Sequence, residues 1–157
     1  MVVGMLCAAM LCTVSGCQKE KVIREIVTFE DEFAGGWNVV REKVEVLNAP
    51  LPELNGVGNR QRDVRAGDFV VYFNADHTGK SINSNRTRTF TWQACGERVI
   101  SMLNDNNERE ILYIDSFNKT DMVAYVNGKF SGTYLDVHGK EKSYTADARY
   151  YITLKKK

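Results

Sequence analysis

TRTFTWQAC, residues Thr87 to Cys95, alternates without a break: Phe90, Trp92 and Ala94 fall on one face, Thr87, Thr89 and Thr91 on the other. Period two is what a strand with one buried face requires, because successive side chains point to opposite sides of a sheet. The same signal recurs on either side of it. Trp37–Val40 starts a strand that can run through Val44 and Val46, and Phe69, Val71 and Phe73 alternate with Val70 and Tyr72. Downstream, strands are expected at Val99–Leu103, Ile111–Ile114, Asp121–Asn127, Lys129–Val137 and Ala148–Leu154. Turn chemistry separates several of them: Asn74-Ala75-Asp76-His77-Thr78-Gly79, with Gly79 offered as the positive-φ position, then Gly96-Glu97 and Asn104–Asn107. No helix alternates with these strands, so a parallel sheet is not expected. A meander of about eight short strands escapes exposed edges by closing. The predicted fold is all-β, an antiparallel up-and-down β-barrel, preceded by one short helix.

That helix is read from Glu20 to Ala34, where Val22, Ile23, Ile26, Val27 and Phe33 fall near helical spacing and Gly35-Gly36 ends the run. Between the first two barrel strands, Asn48 to Gly67 reads as a long loop marked by Pro50, Pro52, Gly56 and Gly58. The chain of 157 residues is 43% hydrophobic and 26% charged with a formal net charge of +1. Such a balance suits one globular domain and excludes a disordered, collagen-like or strongly polyanion-binding chain.

Met1 to Gly16 carries no charged side chain and 12 of its 16 residues are apolar. It is short for a membrane span of ~20 residues and fits a secretory h-region. Val14-Ser15-Gly16-Cys17 resembles the lipobox of bacterial lipoproteins: an aliphatic residue, two small residues, then cysteine. The resemblance implies cleavage before Cys17 and a diacylglycerol on its thiol. It therefore implies a chain tethered to the cell envelope, on the periplasmic or outer face of an outer membrane. The expected division is residues 1–16 as signal, 17–32 as lipidated tether and short helix, and 33–157 as barrel. Of the four cysteines, Cys7 and Cys12 would leave with the signal and Cys17 would carry lipid, so Cys95 is expected as the one remaining thiol.

Further motifs point to a family. Gly35-Gly36-Trp37-Asn38-Val39-Val40 is similar to the Gly-x-Trp opening of lipocalin-type barrels. Phe73-Asn74-Ala75-Asp76-His77-Thr78-Gly79 resembles the F-N-x-D-G-T-G hairpin of the bacterial lipocalin-like domain family, with His77 where that family has glycine. Phe90-Thr91-Trp92 and Tyr151-Ile152-Thr153-Leu154-Lys155 fit its later strands. The resemblance spans about Phe33 to Lys156 and implies a lipocalin-like barrel without catalytic residues.

Catalytic and metal constellations are weak. His77 and His138 lie beside or near Asp76 and Asp136 in turns, and solvated turn residues account for both pairs. Cys95 lacks the base and oxyanion hole a nucleophile needs. Neither a nucleophile elbow nor a phosphate loop occurs. Arg60, Arg62 and Arg65, with Arg86 and Arg88, form the densest basic region, read as solvated, and export makes nucleic acid a poor partner. The recurring strand aromatics suit either a filled barrel or one holding a small apolar ligand. The expected function is non-catalytic binding of a small, partly apolar molecule, with Trp37, Phe73 and Trp92 as pocket or floor residues. No cofactor is expected beyond the lipid on Cys17. The alternative is a protein-binding module using a barrel edge or the Asn48–Gly67 loop.

Overall fold

A computed structural model of the chain describes residue 23 and residues 29–157. Residues 29–33 are helical, and nine strands follow: β1 (Gly35–Leu47), β2 (Arg60–Asp63), β3 (Phe69–Phe73), β4 (Thr78–Asn83), β5 (Arg86–Gly96), β6 (Val99–Asn104), β7 (Arg109–Phe117), β8 (Asp121–Leu135) and β9 (Glu141–Lys156). All pairings are antiparallel in the order β2-β1-β3-β4-β5-β6-β7-β8-β9, and β1 also pairs with β9. Eight strands thus close into a barrel and β2 lies outside it, paired only with β1 from Arg41 to Val44. The all-β antiparallel barrel is the architecture that the alternation implies.

Three elements differ from the sequence reading. β4, TGKSIN, has one apolar residue, Ile82, so its period is invisible, yet it pairs with β3 on one side and β5 on the other. β2, RQRD, is exposed throughout and lies inside the span read as loop. β8 runs unbroken through Gly128, where the sequence suggested two strands. Within the Asn74–Gly79 turn the glycine has a different purpose from the one expected. The positive φ, 65°, belongs to His77. Gly79 is instead a close approach, since a Cβ there would come within 2.2 Å of the Phe90 ring that lies over it.

The strands bury their side chains in two clusters. The larger lies inside the barrel and contains Phe33, Trp37, Phe73, Trp92, Ile100, Leu112, Met122 and Leu154 among others. The smaller lies where β1, β8 and β9 extend past the barrel. β8 and β9 are 15 and 16 residues long, roughly 50 Å of strand at about 3.3 Å per residue, and they stay paired to Leu135 and Glu141. Segment 48–59 folds over that extension. It sets Leu54, in a single 3-10 turn, against Val46, Tyr144, Ala146 and Ala148. Gly58 passes so near Phe130 that a Cβ would sit 2.4 Å from the ring, which fixes how closely the segment lies on the sheet.

Candidate functional site

Strand pairing separates the two ends of the barrel. At one end are the β3–β4, β5–β6 and β7–β8 turns, the start of β1 and the finish of β9. The helical residues 29–33 close this end. Phe33 is fully buried, its ring 4.5 Å from Phe73 and 5.4 Å from Trp92 between centroids, and Phe29 packs on Phe33 and Phe117. The polar atoms of this plug are spent on holding it. Trp37 Nε1 donates to the Phe33 carbonyl at 2.9 Å. Trp92 Nε1 is shared between the Asn74 and Thr78 carbonyls at 3.1 Å each. The Glu30 carboxylate accepts the Ala94 N–H at 2.9 Å and stands 3.2 Å from His77 Nε2.

Lys156 latches the plug to β9. Its Nζ donates to the carbonyls of Glu32 at 3.1 Å and Ala34 at 2.6 Å, and lies 4.5 Å from the Trp37 ring centroid. Those carbonyls end the helical segment and carry partial negative charge, which favours an ammonium there. Burial works against the charge and pulls the amine below its ordinary value.

Above the plug the barrel is not filled. A cavity of about 260 Å³ lies among Phe69, Val71, Phe73, Phe90, Met102, Leu112, Val126, Ile152 and Leu154. Toward the opposite end the inward face turns polar, with Ser81, Arg88, Asn104 and Glu110 at the cavity wall. The cross-strand pairs Gly79↔Phe90 and Ser81↔Arg88 show why: Arg88 shares the inward face of β5 with Phe90 and Trp92. Period two therefore carries the same strand from half-buried aromatic to rim cation in two residues.

The residues singled out by sequence are placed as follows. Phe73 lies in the cavity wall and also beneath Phe33, while Trp37 and Trp92 belong to the sealed floor. Residues 1–17, with the signal and Cys17, lie outside the described residues, as does most of the expected helix before residue 29. Among the described residues no helix is long and apolar enough to cross a membrane, and no group of three or more His, Cys, Asp or Glu side chains could hold a metal. The arginines expected as one basic region divide. Arg60 and Arg62 are on β2, where Arg62 pairs with Glu42, and Arg86 and Arg88 are on β5, beyond β1, β3 and β4 in the sheet. Arg88 is on the inward face by parity and is exposed at the open rim. The alternation of residues 87–95, continued backward from Phe90, already places it on the Trp92 face.

Cys95 requires a correction. It was expected as a lone thiol, and it is disulfide-bonded. That expectation assigned the other three cysteines to the signal and the lipid. The N-terminal chain, however, enters at the barrel end where Cys95 sits, since Glu30 bonds the neighbouring Ala94 N–H.

Comparison with protein families, curated proteins and solved structures finds no match for this chain.

Proposed function

We propose that the chain is a cell-envelope lipoprotein, tethered through Cys17, whose barrel binds a small and partly apolar molecule without chemistry. The observation that carries the binding reading is the apolar cavity of about 260 Å³ above a sealed aromatic floor. An apolar cavity of ~150 Å³ already holds benzene, so this one has room for a larger ring or an acyl segment. Binding would draw on apolar area removed from water, with few polar contacts to orient the ligand. The lipocalin-like sequence motifs and the lipobox support the same reading.

The test is a titration with an uncharged naphthylamine dye, followed by its emission, on the wild type and on a Val126→Trp variant. Val126 is a cavity-wall residue, and an indole there fills the space. Saturable binding to the wild type that is lost in the filled variant is the expected outcome. Dye emission that does not saturate, or that is equal in the two proteins, ends the cavity reading.

One observation favours the protein-binding alternative, and it lies on the projecting β8–β9 hairpin rather than the loop. Leu135 and Val137, near its tip, are 70% and 95% exposed. A photo-crosslinker placed at Val137 that captures one defined envelope protein in intact cells would support that reading. Capture of none would leave the tip as a solvated turn.

A further inference from the structure

We propose that the cavity selects an amphipathic monoanion, a carboxylate with an acyl or ring portion, its head group held by Arg88 and Ser81. The inference rests on the cavity-binding reading and adds the chemical class of the ligand. It follows from an accounting of the polar groups in the cavity wall. The Thr89 hydroxyl donates to Asp105 at 2.6 Å. Asn104 accepts the N–H groups of Asn106 and Glu108 and gives its amide to Glu108, each at 2.9 Å. The Tyr150 hydroxyl donates to the Lys129 carbonyl at 2.7 Å. Three side chains are left without a hydrogen bond or ion pair among the described residues: Ser81, Arg88 and Glu110.

Ser81 and Arg88 are directly opposed partners on β4 and β5, both on the inward face. Opposed residues stand about 5 Å apart at Cβ, so a hydroxyl and a guanidinium can meet one head group. The guanidinium is always charged and its planar fork matches a carboxylate through two parallel N–H bonds. Phe90 and Met102 line the same cavity wall and offer apolar surface to the rest of the ligand. Glu110 stands across β6, opposite Met102. Its charge opposes a second negative charge on the ligand, which favours a monoanion over a phosphate monoester, and it accepts from any hydroxyl or amide N–H beside the head.

The experiment displaces the naphthylamine dye with octanoate, octanol, octylamine and octyl phosphate at pH 7.4. Octanoate should compete at roughly ten-fold lower concentration than octanol, the size of one charge-assisted contact. Arg88→Gln should remove that advantage and leave octanol unchanged, and Arg88→Lys should retain part of it because the charge survives without the fork. Glu110→Gln should improve octyl phosphate more than octanoate. Arg88 is exposed, so these variants keep the barrel intact. Equal competition by octanoate and octanol, preference for octylamine, or an Arg88→Gln effect on every probe alike would overturn the head-group assignment while the cavity reading stands. A dye that does not bind at all overturns both.

Discussion

Asp76 shows how one carboxylate shapes a turn that the sequence marks clearly. Its Oδ1 accepts both the N–H and the hydroxyl of Thr78, at 3.0 and 2.6 Å, and Asn74 and Thr78 close the turn through their backbones at 2.8 Å. His77 can then hold its φ of 65°, a conformation that costs a non-glycine residue, while its ring meets Trp92 edge-on at 5.2 Å. The Thr78 hydrogen bonds hold the Asp76 carboxyl below its ordinary value of 3.8. A depressed carboxylate stabilises the fold fully above the unfolded value, and the contribution is lost as pH falls through the lower native one. Asp76→Ala should therefore lower Tm at pH 7. The gap between variant and wild type should narrow as the pH is taken below 3.8, as followed by thermal denaturation across that range. A gap that stays constant with pH would show that the carboxylate charge plays no part in the turn.

Among the elements, β4, the plug and segment 48–59 separate what the sequence makes legible from what it hides. Alternation reveals β5 because its Phe90, Trp92 and Ala94 all face an apolar interior. It hides β4, where inward positions are filled by Gly79 and Ser81 because Phe90 covers one and the cavity mouth opens at the other. The helical residues 29–33 fall within the amphipathic run, but nothing local says that Phe33 would enter the barrel, since that depends on the space left between Phe73 and Trp92. Segment 48–59 reads as loop for its prolines and glycines, and only the extension of β8 and β9 gives Leu54 a surface to cover. Arg88 is solvent-exposed, as its charge suggests, while parity sets it on the inward face at the rim. Phe33→Ala should cost about 3–5 kcal/mol, the range for emptying a packed aromatic site, and shift tryptophan emission to the red as water reaches Trp37 and Trp92. Lys156→Met keeps the stem over Trp37 but forfeits the bonds to Glu32 and Ala34. It should speed amide exchange of residues 29–34 selectively while the strands stay protected. Uniform loss of protection would mean that the latch serves the whole barrel and not the plug.

At the scale of the whole molecule, the plug and the cavity mouth lie at opposite ends, and the N-terminal chain enters at the plug. A lipid on Cys17 would therefore hold the sealed end toward the membrane and turn the mouth, with Arg88 and Glu110, away from it. That arrangement suits capture of a ligand from the aqueous side and not extraction from the bilayer beneath. The disulfide on Cys95 sets a sharp condition on this picture. The chain has four cysteines, and the others are Cys7, Cys12 and Cys17. Cleavage after Gly16 would discard two of them, and a thioether to lipid would occupy the third. A cleaved and lipidated chain would therefore take the disulfide partner of Cys95 from another molecule. Intact mass of the protein extracted from envelopes, with and without reduction and alkylation, tests this. The lipoprotein reading expects an N-terminus at Cys17 carrying diacylglyceryl mass, with Cys95 taking up label only after reduction. A chain that retains residues 1–16 and carries no diacylglyceryl mass would remove the tether. The barrel, its plug and its cavity would remain, but with no reason for either end to face a membrane.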